Sequence, residues 1–514
     1  MTFASSDLFR ARRIVALSYM GSHKEVATVS GFEKTLEWFA NNIFNEVAIL
    51  IALIVLIGLL LQKKRGDEII SGAIRAAVGV YAMFIGVAVF VGGLSAFQAI
   101  TASAFGKTPP TSLDKYSLDT FMADKGSVIA MVITVAFLMH IAIVRLFKLK
   151  FVYLTGHLMF WMSVVVTASL SAGWGSMGKW TMILVGSAIV ATYWTVQPLV
   201  LQKKMERVIG SDEWGYGHTS SSAAYLGAAV GKRIGDPERQ DTEKLHLPRW
   251  LSFFKDVNVA TAVVIMVIML IAMAFADPKV YDAQAATYSA TMNPWVWAVV
   301  SALRFAAGIA VLLFGVRMFL AEIVPAFKGI SDKVIPGARP ALDCPTVFPY
   351  SPTAVMIGFL SSTAVFLAMM ALFPAVGWFG GFVLVPPMIM LFFPGGAAGV
   401  FGNKHGGWPG AVAGGAINGL FLAFGQAITW HLLAHNGPQM ATLADPDWYI
   451  VNWVVLFFRH PLGFADGYQA FVTVFGWLFC AVAVYGLYSL FKRVNGPKHP
   501  QPIETVESRT LTHV

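Results

Sequence analysis

An aspartate at the edge of a long uncharged, apolar stretch is the first residue whose type and place suggest chemistry. Asp343 lies in the run 335–353, whose five prolines prevent one regular helix, and no Asp, Glu, Lys or Arg occurs in residues 344–403. A carboxylate inside a membrane protein costs several kcal/mol unless it is paired or hydrated, so it is a candidate functional group. The alternative is a loop acid paired with Arg339, four residues earlier.

Two histidines are further candidates. His157 lies in Leu154-Thr-Gly-His-Leu-Met-Phe-Trp161, where a lone histidine on an apolar face is more often an ordinary core residue. His218 lies in a Gly/Ser-rich stretch, Gly215-Tyr-Gly-His-Thr-Ser-Ser-Ser222, inside a long loop. Either a helix or hairpin returns this stretch to a buried site, or it is a surface turn. An imidazole can donate or accept a hydrogen bond and can carry a proton near neutral pH.

The composition identifies the kind of protein that must hold these residues. Of 514 residues 57% are hydrophobic and 13% charged, with a net charge of +9, whereas soluble domains have about 45–50% apolar and about 25% charged residues. The apolar blocks predict an all-α polytopic membrane protein with about eleven transmembrane helices and re-entrant or broken segments. The predicted spans are 45–61, 76–97, 127–144, 151–171, 180–200, 257–276, 295–320, 352–373, 378–393, 408–431 and 468–491.

Several classes are excluded by what the sequence lacks. The two cysteines exclude a disulfide scaffold, and no His, Cys and Glu residues have metal-ligand spacing, so no metal or cofactor is expected. The sequence has no Walker loop, which an ATP-driven pump with its own motor would need, and no Arg-rich helix of the kind found in voltage sensors. No basic patch interleaved with aromatics indicates a nucleic-acid partner.

The distribution of basic residues predicts the topology. Loops rich in Lys and Arg alternate with loops that contain few of them. For a multi-pass protein of the cell membrane, this alternation predicts a cytoplasmic carboxyl terminus and an amino terminus outside the cell. The basic stretch 1–40 departs from this pattern, so it is a surface helix or the true start is Met20. The organisation expected is an extension (1–42), a membrane domain (43–492) and a cytoplasmic tail (493–514). Within the domain, 201–256 is predicted as a charge-balanced cytoplasmic loop, either a solvated face or a docking surface for a soluble partner.

A weak internal repeat lies within the membrane domain. Residues 86–105 match 308–327 at eight of 20 positions, including Gly86/Gly308 and Phe97/Phe319. Chance agreement between Gly- and Ala-rich helices is the alternative. A real repeat links the second span to the seventh and is inverted, as in many transporters. Its copies are predicted at about 43–200 and about 257–431, before a last helix at 468–491.

At these motifs the chain resembles the ascorbate-specific membrane component, enzyme IIC, of the bacterial phosphoenolpyruvate-dependent sugar phosphotransferase system, of the ascorbate-galactitol type. The resemblance covers about residues 36–492. The segments that carry it are Leu154-Thr-Gly-His-Leu-Met-Phe160, the Gly-His pair at 217–218, Leu247-Pro-Arg-Trp-Leu251, Phe401-Gly-Asn with Gly406-Gly-Trp408, and above all the stretch from Gly315-Val-Arg-Met-Phe-Leu-Ala-Glu-Ile323 to Asp343-Cys344.

The resemblance implies an eleven-helix protomer with inverted repeats that forms a homodimer. It implies that L-ascorbate binds from outside and is delivered inward to a separate soluble IIB protein. IIB phosphorylates it from a phosphocysteine that IIA charges. On this reading the chain is a translocator with no catalytic residues, and whether it counts as an enzyme stays open.

The resemblance also implies the substrate contacts. They are His157 and Trp161, His218 and Thr219, Asp343, and, at a less closely matched element, Thr120 and Phe121. The family typically has Gln at position 161 and a run of Gln at 219–222, whereas this chain has Trp161 and Thr219-Ser-Ser-Ser222. Because these differences change the groups that would contact the substrate, the expected substrate is L-ascorbate or a related sugar acid. The alternatives are an ion- or proton-coupled secondary transporter of a small anion, with Asp343 and His157 as a relay, and a passive channel or membrane scaffold.

Overall fold

The computed structural model describes residues 31–39, 42, 46–106, 118–245, 257–433, 435–464 and 466–495. Most of the predicted extension 1–42 and of the tail 493–514 therefore lies outside the described residues. The helices are α1 (Gly31–Phe39), α2 (Val47–Leu61), α3 (Gly66–Ala104), α4 (Leu118–Leu146), α5 (Gly156–Gly173), α6 (Lys179–Ile209), α7 (Ser221–Ile234), α8 (Val257–Phe275), α9 (Pro278–Tyr288), α10 (Pro294–Lys333), α11 (Pro352–Val376), α12 (Met388–Leu432), α13 (Pro446–Arg459) and α14 (Gly467–Asn495). The strands are β1 (Phe151–Tyr153), β2 (Gly215–Tyr216) and β3 (Arg339–Leu342).

The all-α polytopic prediction is confirmed. In the described part of the chain eight helices are long and apolar enough to cross a membrane, and two shorter apolar helices span Ala48–Leu61 and Thr261–Phe275. Helix α12 reverses direction at Gly407, where φ is +66° and ψ is −159°, so it supplies two arms. With the two arms of α12 counted separately, these segments cover ten of the eleven predicted spans and only the end of the remaining one, 378–393.

The predicted span 378–393 is displaced in the structure. A short 3₁₀ turn occupies Trp378–Gly380, and the next helix begins only at Met388. The cause is local, because Gly377, Gly380 and Gly381 have positive φ and Pro386-Pro387 cannot continue a helix. Within α12, the non-helical backbone is confined to Gly407 in the Gly-rich stretch 395–408. The other glycines of this stretch are helical because they pack against neighbouring backbones, as Gly402 does against Gly410.

The two helices matched by the repeat lie antiparallel and in contact. Gly86 of α3 lies against the backbone of Gly308 and Leu312 of α10, and Gly79 lies against Gly315 and Phe319. Small residues allow two membrane helices to approach this closely. The inverted repeat itself stays a prediction, but one of its matched pairs, Gly86 and Gly308, lies at this helix–helix interface.

Residues 201–245, the described part of the predicted loop 201–256, contain regular secondary structure. Helix α6 continues to Ile209, β2 follows, and α7 packs along both arms of α12. Gly227, Gly231 and Gly235 are spaced four apart, and each lies against backbone atoms of α12. This small-residue face explains why a charge-balanced segment enters the protein.

Three short parallel strands form a small buried sheet in the order β1-β3-β2. Phe151 pairs with Arg339 and Tyr153 with Ala341, while Tyr216 pairs with Leu342. The Leu154 N–H donates to the Ala341 carbonyl and the Gly217 N–H to the Leu342 carbonyl, which extends the pairing beyond both edge strands. Parallel strands place their carboxyl ends at one edge, so the residues that follow them are brought together.

The glycine packing gives a stability prediction. We expect Gly414→Ala to lower the apparent thermal unfolding temperature of the purified protein, because the new methyl group would overlap the Ala398 carbonyl. Overpacking of this kind costs about 1–3 kcal/mol. Gly66→Ala is the matched control, since Gly66 lies in the first turn of α3 with open space around it. An unchanged unfolding temperature in Gly414→Ala would contradict the close packing of the two arms.

Candidate functional site

The buried sheet brings three predicted site residues together. Asp343 follows β3 directly, and His157 and His218 follow β1 and β2 within a few residues. The His157 Nε2 atom lies 3.7 Å from Asp343 Oδ2, and the His218 Nε2 atom lies 3.7 Å from Asp343 Oδ1. The side chains of His218 and Asp343 are 5% and 14% exposed, whereas that of His157 is 40% exposed. The His157 side is therefore the open side of the site.

Asp343 is held by local backbone geometry. Its carboxylate accepts a hydrogen bond from the Cys344 N–H at 2.7 Å and caps the 3₁₀ helix Cys344–Tyr350. Arg339, the partner expected if Asp343 were an ordinary loop acid, instead forms an ion pair with Asp212. The hydrogen bond from Arg339 lowers the pKa of the Asp212 carboxyl. Asp343 therefore faces the histidines.

His218 is oriented by neighbouring hydroxyl groups. Its Nδ1 atom lies 2.9 Å from Ser220 Oγ, and that oxygen lies 2.7 Å from the Tyr216 hydroxyl. Both partners are buried. This arrangement leaves Nε2 directed at Asp343. Of the two alternatives left open for the Gly-His stretch, the structure shows the return to a buried position and not the surface turn.

Two acids that the sequence reasoning missed complete the polar network. Asp445 accepts a hydrogen bond from the Thr219 hydroxyl and lies 3.8 Å from His218 Nδ1. Asp447 accepts from the Tyr193 hydroxyl at 2.7 Å and from the Ser222 N–H at 2.9 Å. A signal was present, because Ala444-Asp-Pro-Asp-Trp448 borders an uncharged block, as Asp343 does.

Two of the four hydroxyl groups in the run after the Gly-His pair donate to these acids. The Thr219 hydroxyl donates to Asp445, and both the hydroxyl and the N–H of Ser221 donate to Asp447. The Asp447 N–H donates to the Thr219 carbonyl at 2.9 Å. Residues 219–222 are therefore anchored to the start of α13, and Thr219 keeps only acceptor capacity for a ligand.

Trp161 lies one helical turn beyond His157 on α5 and is partly buried. Its indole stacks on Trp448, with ring centroids 5.8 Å apart and planes 30° apart. One face of Trp161 is thereby taken by Trp448. Since Trp448 directly follows Asp447, the same segment contacts both α5 and the His218 loop.

Thr120 and Phe121 lie in the first turn of α4, at the edge of this region. Phe121 is buried and lies against Gly437, and the Leu118 N–H donates to the Gln439 side chain at 3.1 Å. The start of α4 thus packs on the segment Pro438–Leu443, which leads into Asp445. Thr120 and Phe121 therefore adjoin the His–Asp network only through the segment Pro438–Leu443. The other five predicted site residues lie within the network or beside it.

The arrangement suits recognition of a small polyhydroxylated molecule. Two imidazoles can donate to ligand oxygens, and buried carboxylates can accept from ligand hydroxyls. Helix α5 begins at the site, and helix amino termini attract negative charge, whereas the first N–H groups of α7 already donate to Asp447. An aromatic face borders these polar groups, as in many small-molecule sites.

Similarity to known proteins identifies the family of this chain. A family described as the PTS system sugar-specific permease component, EIIC-GAT, matches residues 42–447, which include every residue of the network. The chain is also 26% identical over 422 residues to the ascorbate-specific PTS system EIIC component of Mycoplasma pneumoniae. That match covers 73% of this chain and 63% of the relative, so the chain spans less than two thirds of the relative's length. The chain belongs to the family of sugar-specific permease components of the phosphotransferase system.

Proposed function

We propose that this protein takes up L-ascorbate, or a related sugar acid, and delivers it to a soluble IIB protein for phosphorylation. IIA charges IIB, and the working unit is a homodimer in the cell membrane. The observation that carries the proposal is the convergence of His157 and His218 on Asp343 at the end of the buried sheet. The ascorbate-specific relative supports the substrate class.

The chemistry of L-ascorbate fits these groups. It is a small, flat monoanion with several hydroxyls, so it needs donors near its charged enolate and acceptors near its hydroxyls. The histidines and the amino terminus of α5 supply the positive side. Asp343 accepts from a hydroxyl, because a carboxylate placed against the enolate would repel it.

The sheet connects the site to a basic loop. The Arg339 N–H, at the start of β3, donates to the Lys150 carbonyl in the loop after α4, which we assign to the cytoplasmic face. Asp343 lies four residues further along the chain, at the other end of the strand.

One observation favours the secondary-transport alternative. His157, Asp343, His218 and Asp445 alternate base and acid at separations of 3.7, 3.7 and 3.8 Å. Such a row could relay a proton, as intramembrane acids and histidines do in proton-coupled transporters. The two mechanisms differ in the energy source that drives uptake.

The first functional prediction concerns Asp343. We expect Asp343→Asn to weaken L-ascorbate binding by about tenfold or more, because the amide replaces one of the two acceptor oxygens between the imidazoles with a donor. Titration calorimetry on the purified variant measures this, and its unfolding temperature shows that the fold is kept. Asp212→Asn, at an acid paired with Arg339 outside the site, is the control and should bind normally. Unchanged binding in Asp343→Asn would remove that residue from the site.

The second functional prediction concerns the energy source that drives uptake. In reconstituted vesicles we expect L-ascorbate uptake to require phosphorylated IIB and to continue when a protonophore collapses the pH gradient. The product should be phosphorylated. Uptake without IIB that follows an imposed proton or sodium gradient would instead establish secondary transport.

The third concerns Trp161. We expect Trp161→Gln to change L-ascorbate affinity by about five- to 150-fold, since a stacking contact or a few hydrogen bonds are worth about 1–3 kcal/mol. Weaker binding would indicate that the indole stacks on ascorbate, and tighter binding that the native site prefers a less hydroxylated acid. Trp180→Gln, at an exposed indole on α6, is the control. A change within about twofold would place Trp161 outside the substrate site.

A further inference from the structure

We infer that His218, Asp343 and Cys344 form a binding site for a thiophilic divalent cation such as Zn²⁺. One ligand atom from each residue lies within 4.8 Å of the other two, and His218 Nε2 is 3.7 Å from the nearer Asp343 oxygen. Over the described ranges, these residues make up the one group of three His, Cys, Asp or Glu side chains close enough to share an ion. No spacing along the chain predicts it, because 125 residues separate His218 from Asp343.

The donor set selects the kind of ion. Imidazole nitrogen, thiolate sulfur and carboxylate oxygen are the ligands of Zn²⁺, whereas Mg²⁺ and Ca²⁺ take oxygen ligands. Metal–ligand bonds of about 2.0–2.3 Å in a tetrahedron place the ligand atoms about 3.3–3.8 Å apart. His218 Nε2 and the nearer Asp343 oxygen already lie near that separation. The largest separation among the three ligand atoms, at most 4.8 Å, must shorten by about 1 Å.

The surroundings support metal binding. The Ser220 hydroxyl, itself in contact with Tyr216, can accept from the Nδ1–H of His218 and so present its Nε2 lone pair. Metal-bound histidines are commonly held by such a second hydrogen bond. His157 Nε2 lies 3.7 Å from the other Asp343 oxygen, on the more exposed side of the cluster, which gives an ion an entry path.

Binding requires one proton to leave. The Cys344 S–H bond breaks, the sulfur–zinc bond forms, and the proton passes to the buffer, with no change in oxidation state. The thiolate and the Asp343 carboxylate then balance the charge of the ion. Because His218 and Asp343 are also proposed substrate contacts, Zn²⁺ should compete with the sugar acid. That consequence rests on the proposed function, whereas metal binding itself does not.

The test measures metal binding directly on the purified full chain. Zn²⁺ is titrated in competition with a chromogenic chelator, and Co²⁺ is added separately because a cobalt–thiolate bond gives a characteristic charge-transfer absorption. We expect one ion per chain, and we expect Cys344→Ser to abolish the cobalt–thiolate absorption and to weaken Zn²⁺ binding at least about tenfold. Cys480→Ser is the matched control, since it alters the other free cysteine on α14 and should change neither signal.

His218→Asn is the second variant, used with its unfolding temperature in case Cys344→Ser does not fold. It should weaken Zn²⁺ binding to a similar extent. The inference is overturned if the wild type shows no cobalt–thiolate absorption, if that absorption survives Cys344→Ser, or if it disappears in Cys480→Ser. No sugar is present in these titrations, so their failure and a failure of L-ascorbate binding are separate results.

Discussion

The candidate site depends on the pairing of three short strands inside an apolar protein. Backbone N–H and C=O groups at membrane depth find no water, and each unpaired group costs several kcal/mol. The central strand β3 therefore pairs with both β1 and β2, and this pairing sets the positions of Asp343, His157 and His218 relative to one another. A slip in either pairing would move a histidine away from Asp343 and leave backbone groups unsatisfied.

Close helix packing surrounds this sheet and accounts for the many glycines. Helix α7 follows the His218 loop and lies against both arms of α12, where Gly231 contacts Gly402 and Gly410. Asp447 accepts from the first N–H groups of α7, while Trp448 stacks on Trp161 of α5. The start of α13 thus joins the two helices that begin at the site. The geometry of the binding residues depends on contacts made far from them in sequence.

Much of the fold could be predicted from the sequence, because long uncharged apolar blocks have few interpretations. Asp343 could be recognised as a polar residue at a break in such a block, and the Gly-His motifs through the family resemblance. The strands could not, since two to four residues show no usable period and their partners are distant in sequence, as Phe151 and Arg339 are. The span expected at 378–393 was displaced by local glycines and prolines that hydropathy alone does not weigh. The roles of Asp445 and Asp447 emerged only from tertiary contacts.

The central claim is that the substrate is held between His157, Asp343 and His218 at the end of the buried sheet. An experimental structure of the protein in lipid nanodiscs with saturating L-ascorbate tests it most directly. We expect ligand density within hydrogen-bonding distance of Asp343 and both imidazoles, with β1, β3 and β2 paired in the register described. Ligand density elsewhere with the His157–Asp343–His218 cluster unoccupied, or a structure in which the three strands are not paired, would contradict it.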